Sequence, residues 1–215
     1  AVAAYGLAGS QAEMPSAPLE PGVWEQLLLH ARMQRLTPLL ARAATDGVLA
    51  TTDHQLEEAT NAANEALVQV LVLEATLVRL AAVLDAADVP FRVLKGSAVA
   101  HLDYPDPAWR EFGDIDLLIR PEDLDRAIAV LAGRGFQRRF PEPRAGFDRR
   151  FAKSVSVVNA DGLEIDLHRT LAPGPLGLRV RPTMLWDAPA DDVAIGGRTL
   201  EALGPDDLQR AHDAL

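Results

Sequence analysis

Hydrophobic positions recur with helical spacing through the N-terminal part of the chain. Apolar residues three to four positions apart over 21–44 predict an amphipathic helix, with a new helical turn starting at Pro38. A second run, from about His54 to Ala87, has the same spacing and predicts one long helix. We therefore predict a helical N-terminal region over residues 1–88.

The pattern then changes to short apolar or alternating runs, which are typical of β-strands. Strands are predicted at 91–94, 114–119, 136–140, 154–158 and 163–168, with helices at 98–102 and from Pro121 to about Gly133. Asp161-Gly162 indicates a tight turn between the last two strands. This order predicts a mixed β-sheet with helices on one side, an α+β (α/β) fold, over residues 89–171.

The last predicted region, residues 172–215, contains a hairpin and a helix. Apolar residues on either side of Gly196-Gly197 predict the hairpin, and residues 205–215 have a helical pattern.

Acidic residues occupy one face of a predicted central strand. Asp114 and Asp116 alternate with apolar residues, so both carboxylates are expected on the same face. Two carboxylates held this way repel each other unless cations lie between them, and Mg²⁺ prefers oxygen ligands. Asp-x-Asp alone is also typical of an exposed strand end.

A later strand repeats the arrangement. Glu164, Asp166 and His168 share one face, with Ile165 and Leu167 on the other. Polar residues that simply face water explain the alternation equally well, but they do not explain acids at matching spacing on two strands. Asp166 is preferred over Glu164 as the third metal ligand because it lies centrally in the apolar run, where a buried acid must be paired.

A third motif stands between the first strand and the helix that follows it. Gly96 lets the backbone approach a phosphate, and the Ser97 hydroxyl and the N–H groups of a helix start can donate to it. Lys95 adds a positive charge. Gly-Ser at such a turn is common, so the motif gains meaning only beside the acidic strands.

Together, these motifs resemble the nucleotidyltransferase superfamily that includes DNA polymerase beta. That superfamily has an apolar strand, Gly-Ser or Gly-Gly, a spacer, Asp-x-Asp on the next strand and a third acid on a later strand. More narrowly, the chain is similar to a bacterial family of uncharacterised nucleotidyltransferases. The narrower likeness is found at 24–40, 93–98, Tyr104, Arg110, 114–118, 121–124, 135–136 and 164–168.

The resemblance implies a polymerase beta-like core with a mixed sheet, preceded by an α-helical N-terminal region. It also implies that Asp114, Asp116 and Asp166 hold two Mg²⁺ ions, or Mn²⁺, and that Asp166 helps to deprotonate the acceptor. Gly96 and Ser97 would contact the triphosphate. The nucleotide-binding group that we expect is Lys95, Gly96, Ser97 and Arg110.

Other residues have alternatives that the sequence leaves open. Arg110 either contacts a phosphate or forms an ion pair with Asp114, and His168 either orients Asp166, contacts the acceptor or is structural. We take His101 and Tyr104 as structural. Arg169 stands where a Trp often follows in the narrower family, and relatives usually continue beyond the last helix, so we expect part of the pocket to come from such a continuation.

Charge narrows the choice of partners. The net charge is −10, so a broad basic face for general nucleic-acid binding is excluded and no DNA partner is expected. The stretch 134–153 is the exception, with seven basic residues and two acidic ones. It either binds a polyanion such as RNA or is a solvated loop.

Two absences limit the classes of function. The chain has no Cys, which excludes disulfides, a thiolate nucleophile and Cys-based metal sites. The longest mostly apolar stretch, 66–84, is interrupted by Gln69, Glu74 and Arg79, so no membrane span is expected, and no signal peptide is recognised. The expected location is cytoplasmic.

The sequence therefore predicts transfer of a nucleoside monophosphate from a nucleoside triphosphate, with ATP preferred, to a hydroxyl or phosphate on a small molecule, peptide or RNA. Two alternatives remain. One is a catalytically silent nucleotide-binding or interaction module with the same fold. The other is an RNA-modifying nucleotidyltransferase of the toxin type that holds RNA with residues 134–153. The acceptor itself is not readable from the sequence.

Overall fold

A computed structural model describes residues 1–6, 13–171, 174, 182–187 and 189–203. The chain divides into two compact units. The first consists of residues 1–72 with 104–112, and the second of residues 73–103 with 113–215. The predicted helix over 205–215 lies outside the described residues.

The first unit is helical. Helices α1 and α2 are separate because Arg35, between them, adopts a left-handed φ of 56° that ends the first helix. Pro38 then fits the first turn of α2, where its missing N–H leaves no hydrogen bond unmade. The helices are α1 (Pro21–Met33), α2 (Thr37–Thr45) and the first part of α3 (Asp53–Ala86), with short 3-10 turns at Val2–Ala4 and Pro107–Trp109.

Apolar packing and a cap hold the first unit together. Trp24, Leu40 and Leu49 are fully or almost fully buried in its core. At the start of α3, the Thr52 hydroxyl accepts the Gln55 N–H at 3.2 Å, and the Gln55 side chain accepts the Thr52 N–H at 3.2 Å. This reciprocal arrangement satisfies N–H groups that a helix start otherwise leaves unpaired.

Helix α3 is long and apolar enough to cross a membrane by length and composition alone. The core helix of a globular protein passes the same test, and 39% of the most apolar window of α3 is buried inside the protein. Its buried residues recur at helical spacing, from Ala62 through Ala66 and Val70 to Leu77. The cytoplasmic location stays a prediction.

The second unit is a seven-stranded mixed sheet with helices, which confirms the predicted fold class. The strand order is β3-β4-β5-β2-β1-β7-β6. The strands are β1 (Phe91–Leu94), β2 (Ile115–Ile119), β3 (Gln137–Arg138), β4 (Ser154–Val158), β5 (Glu164–His168), β6 (Asp191–Ile195) and β7 (Arg198–Ala202). The helices are the last part of α3, then α4 (Lys95–Asp103), α5 (Leu124–Ala132), α6 (Asp148–Phe151) and α7 (Pro182–Asp187).

Both predicted hairpins form. β4 pairs antiparallel with β5 around Gly162, which adopts a φ of 80°, and β6 pairs antiparallel with β7. At the centre of the sheet, β2 pairs antiparallel with β1 on one side and parallel with β5 on the other. The β2–β5 pairing joins strands that are far apart in the sequence. All five residues of β2 are buried, so this strand forms the middle of the core.

Several boundaries differ from the sequence prediction. β2 starts at Ile115 rather than Asp114, and β3 is limited to Gln137–Arg138. Helix α4 starts at Lys95, directly after β1, rather than at residue 98. The reason is that Lys95 takes a left-handed φ of 43°, which turns the chain from strand to helix without a linker.

Candidate active site

Strand pairing brings two of the predicted carboxylates together. Asp116 of β2 and Asp166 of β5 are register partners in a parallel pair. Neighbouring strands lie about 4.8 Å apart, so side chains at one register position on the same face are neighbours. Among the described residues, ligand atoms of Asp116, Asp166 and His168 all lie within 4.8 Å of one another.

Asp116 is the more enclosed of the two acids, with 5% of its surface exposed. Its Oδ1 accepts a hydrogen bond from Lys95 Nζ at 2.8 Å and lies 2.6 Å from His168 Nε2. Burial raises the pKa of the Asp116 carboxyl, but the hydrogen bonds with His168 and Lys95 outweigh it and leave the pKa below its ordinary value. The carboxylate is therefore charged at neutral pH, as a metal ligand must be.

Asp166 is more open than Asp116. The Ser156 hydroxyl donates to its Oδ1, its Oδ2 lies 3.9 Å from His168 Nε2, and 23% of its side chain is exposed. Glu164, the competing third ligand, instead forms an ion pair with Arg139. The geometry thus brings Asp166, and not Glu164, to Asp116.

Asp114 stands at the entrance to β2 and is half-buried. It is not one of the three residues that meet within 4.8 Å in the described part of the chain. The strand starts one residue later, so the simple alternation expected for Asp-x-Asp does not extend back to Asp114. Its role as a metal ligand stays a prediction.

Lys95, Gly96 and Ser97 form the first turn of α4, directly after β1. Gly96 and Ser97 are buried, whereas the Lys95 side chain is 45% exposed. The first N–H groups of a helix have no partner within the helix, and they point toward its N-terminal end, where anions bind. Phosphate binding by this turn stays a prediction.

The remaining candidates have local partners. Arg110 belongs to the first unit, where its Nη1 donates to the Glu111 carbonyl at 2.9 Å. Its nucleotide-binding role stays a prediction. In the second unit, His101 Nε2 lies 2.7 Å from a Glu74 carboxylate oxygen, a contact that suits a structural residue.

The sequence did not reveal two contacts of the site. For His168 the sequence leaves open whether it orients Asp166, contacts the acceptor or is structural; its close hydrogen bond is with Asp116, and it is completely buried. Ser156 was not singled out, although it is the cross-strand partner of Asp166. The alternation of Ser154 and Ser156 with apolar residues before the turn is the available signal. Once the register of the hairpin is known, it places Ser156 opposite Asp166.

A mixed sheet in which β2 and β5 pair carboxylates, beside a strand-to-helix turn of Lys-Gly-Ser, is the arrangement that the nucleotidyltransferase resemblance predicts. The family model described as "Uncharacterised nucleotidyltransferase" matches residues 20–209, so the chain belongs to that family. Its class of activity is therefore nucleotidyl transfer.

Two solved structures are similar at low identity. One is the lincosamide antibiotic adenylyltransferase LnuA with lincomycin bound, with a TM-score of 0.41, 12% identity, and coverage of 63% of this chain and 83% of that chain. The other is an antigenic nucleotidyltransferase-like protein from Paracoccidioides brasiliensis, with a TM-score of 0.36, 16% identity, and coverage of 68% and 64%. Neither likeness bears on the substrate. No curated protein matches the chain.

Proposed function

We propose that the chain transfers a nucleoside monophosphate from a nucleoside triphosphate, with ATP as the first candidate, to a hydroxyl or phosphate acceptor. The observation that supports this most directly is the register pairing of Asp116 with Asp166 on parallel strands. The first turn of α4 begins at Lys95, whose Nζ contacts Asp116. A phosphate held at this turn therefore lies beside the carboxylates.

The donor set fits divalent cations. Asp116 and Asp166 offer carboxylate oxygens within 4.8 Å of each other, and Mg²⁺ binds in proteins through a few such oxygens together with substrate phosphates. We assign two Mg²⁺ ions, with Mn²⁺ as the alternative, to Asp114, Asp116 and Asp166. When bound, such ions neutralise charge on the phosphates and lower the pKa of the acceptor hydroxyl.

The residues of the site have separate roles in the transfer. The acceptor oxygen forms a bond to the α-phosphorus, the bond from that phosphorus to the oxygen bridging to the β-phosphate breaks, and pyrophosphate leaves. A hydroxyl acceptor gives its proton to Asp166, which is the more exposed acid and is positioned by the Ser156 hydroxyl. Lys95, Gly96 and Ser97 hold the phosphates.

The proposal is tested by incubating the protein with Mg²⁺, labelled nucleoside triphosphates and a cell extract, and then identifying the labelled product. Asp116→Asn should abolish labelling because the amide removes the charge that holds the metal. Its melting temperature should change little, since the amide keeps the size of the side chain. Asp125→Asn, an exposed acid on α5, is the matched control. Full activity of the Asp116 variant would overturn the proposal.

The Lys95–Asp116 ion pair favours a second candidate, a nucleotide-binding module without catalysis. An ammonium group 2.8 Å from the Asp116 carboxylate supplies the compensating charge that a metal otherwise supplies. Calorimetry with ATP and Mg²⁺ distinguishes the two. Nucleotide binding without pyrophosphate release across many acceptors supports the module, whereas release of pyrophosphate excludes it.

A further inference from the structure

One segment of the second unit, residues 139–151, combines exposed aromatic rings with guanidinium groups. It lies at the β3 end of the strand order, where β3, α6 and β4 follow one another in the chain. We call it the arginine–phenylalanine surface, and its members are Arg139, Phe140, Arg144, Phe147, Arg149, Arg150 and Phe151.

The aromatic rings of this surface are unusually open. Phe140 is 69% exposed and Phe151 is 40% exposed. The Arg139 guanidinium lies over the Phe140 ring at 5.7 Å, and that of Arg144 lies 5.9 Å from the Phe147 ring and 5.7 Å from the Phe151 ring. Cations over exposed rings form the kind of platform on which bases of single strands stack.

The surface also has positive charge in excess. The stretch 134–153 contains seven basic and two acidic residues, against a net charge of −10 for the whole chain. Within residues 134–153, all of which the structure describes, ion pairs engage only Arg138, with Asp148, and Arg139, with Glu164. The exposed cations Arg144, Arg149 and Arg150 form no ion pair there, which leaves them available to a polyanion.

A cavity runs from Phe140 of this surface to Ser156, the hydrogen-bond partner of the proposed catalytic acid. Its volume is about 220 Å³, and it lies between an apolar wall of Phe140, Pro141 and Pro143 and a polar wall that includes Ser154 and Ser156. The Ser156 hydroxyl donates to Asp166, so the polar wall adjoins the group that accepts the proton in the proposed reaction.

We propose that the acceptor is single-stranded RNA, held by the arginine–phenylalanine surface with its terminal ribose in this cavity. The inference rests on the proposed function and names its acceptor class. Phosphates meet the three arginines, a base stacks on Phe140, and the ribose hydroxyls meet the serine hydroxyls. We assign RNA rather than DNA because the ribose 2′-hydroxyl gives the two serines a partner that deoxyribose lacks.

The transfer then has a defined donor and acceptor. A terminal ribose hydroxyl oxygen bonds to the α-phosphorus of the triphosphate, its proton passes to Asp166, and pyrophosphate leaves. The RNA ends one nucleotide longer for each triphosphate consumed, so no oxidant, reductant or further reactant is needed.

Binding is measured by fluorescence anisotropy with a labelled single-stranded RNA dodecamer, in chelator and without nucleotide, so that the metal site plays no part. Replacing Arg144, Arg149 and Arg150 together with Ala should weaken binding at least about tenfold. The slope of the logarithm of the binding constant against the logarithm of the salt concentration should become less negative by roughly two. Phe140→Ala should weaken it about tenfold through lost stacking.

The matched control removes the same charge elsewhere. Arg32, Arg126 and Arg198 are surface arginines with single carboxylate partners, and their triple replacement with Ala should leave RNA binding nearly unchanged. Equal losses in the two triple variants would overturn the inference, because binding would then follow net charge alone.

Two further outcomes separate this inference from the proposed function. Tight binding of a DNA dodecamer of the same sequence, equal to that of RNA, would overturn the assignment to RNA. Asp116-dependent labelling of a small molecule by a protein that does not bind RNA would overturn the inference and leave the proposed function standing. Labelling of RNA that is lost in the arginine triple variant supports both.

Discussion

The two compact units differ in whether their charged side chains are exposed or buried. In the first unit, the core of Trp24 and Leu40 is apolar, and an ion pair such as Arg32–Glu65 is exposed, at 46% and 65% of the two side chains. In the second unit, Asp116 and His168 are buried in the middle of the sheet. Exposed pairs contribute about 0–1 kcal/mol, whereas a buried charge is expensive unless paired. Asp116 is paired with Lys95, but a buried ion pair repays its desolvation only in part, so this buried charge is better explained by a function than by stability.

Burial alone does not identify function, as Arg92 shows within the same unit. It is 7% exposed, and its guanidinium donates to the carbonyls of Leu185 at 2.7 Å and Trp186 at 3.2 Å. These bonds fasten α7 to β1 and serve the fold. Asp116 differs because it neighbours a second carboxylate, Asp166, whose side chain is partly open to solvent. Like charges brought together beside solvent are the informative feature.

The largest effect is expected from replacing one of the two acids of β5, Asp166, and the other, Glu164, is the comparison. Asp166→Asn should lower kcat/KM for nucleotidyl transfer at least about a thousandfold, because it removes the proposed metal ligand and proton acceptor. Glu164→Gln on the same strand should change it less than about threefold, since Glu164 pairs with Arg139. Steady-state kinetics of both variants settles which acid acts. The reverse order of effects would show that the site is built on Glu164.

The first unit should respond to loss of packing instead of loss of charge. Leu40→Ala, at a completely buried position, should lower the free energy of unfolding by about 2–5 kcal/mol through the cavity it leaves. Leu29→Ala on α1, where the side chain is 49% exposed, should change it by less than about 1 kcal/mol. Urea titration measures both. Similar values for the two variants would contradict the burial described for this unit.

A substitution of Lys95 tests whether its ammonium group, which pairs with Asp116, also binds the nucleotide. Lys95→Met should raise KM for the triphosphate about tenfold, because a charged hydrogen-bond donor is lost beside the first turn of α4. The only other lysine in the chain is Lys153, so Lys153→Met is a matched control and should leave this KM nearly unchanged. A lower KM in the Lys95 variant would mean that the lysine obstructs the nucleotide.

The smallest effect concerns an exposed contact of the first unit. A hydrogen bond with Asp46, together with slight burial and the negative charge of Asp46, raises the pKa of Tyr5. Replacing Asp46 with Asn should lower that pKa, so that Tyr5 loses its proton at lower pH than in the unchanged protein. Titration of tyrosinate absorbance in both proteins measures the shift. Identical titrations would show that the contact is not formed in solution.

The sequence predicted elements well where the signal was local. The β4–β5 hairpin was expected from alternating residues around Asp161-Gly162, and it forms with the expected strands. Strand alternation and turn residues act within a few positions, so they are visible in a single sequence. The α1–α2 break was also signalled by Pro38, whose ring fits only the first turn of a helix.

Element boundaries and side-chain contacts at the site were harder to predict from the sequence. The left-handed backbone of Lys95 starts α4 three residues earlier than expected, and lysine has no pattern that announces such a conformation. The contact of Ser156 with Asp166 requires the exact register of a hairpin, because a slip of one residue moves every side chain to the other face.

The sequence by itself determined the helical first region, the strand-rich second region and the acids of two strands. It did not determine that β5 lies between β4 and β2, which is what makes Asp116 and Asp166 neighbours. Local patterns carry the period of a strand, but the pairing of strands far apart in the chain depends on how the whole sheet buries its apolar faces. The sequence favoured Asp166 over Glu164, but only the tertiary structure brought Asp166 to Asp116 and placed His168 against Asp116.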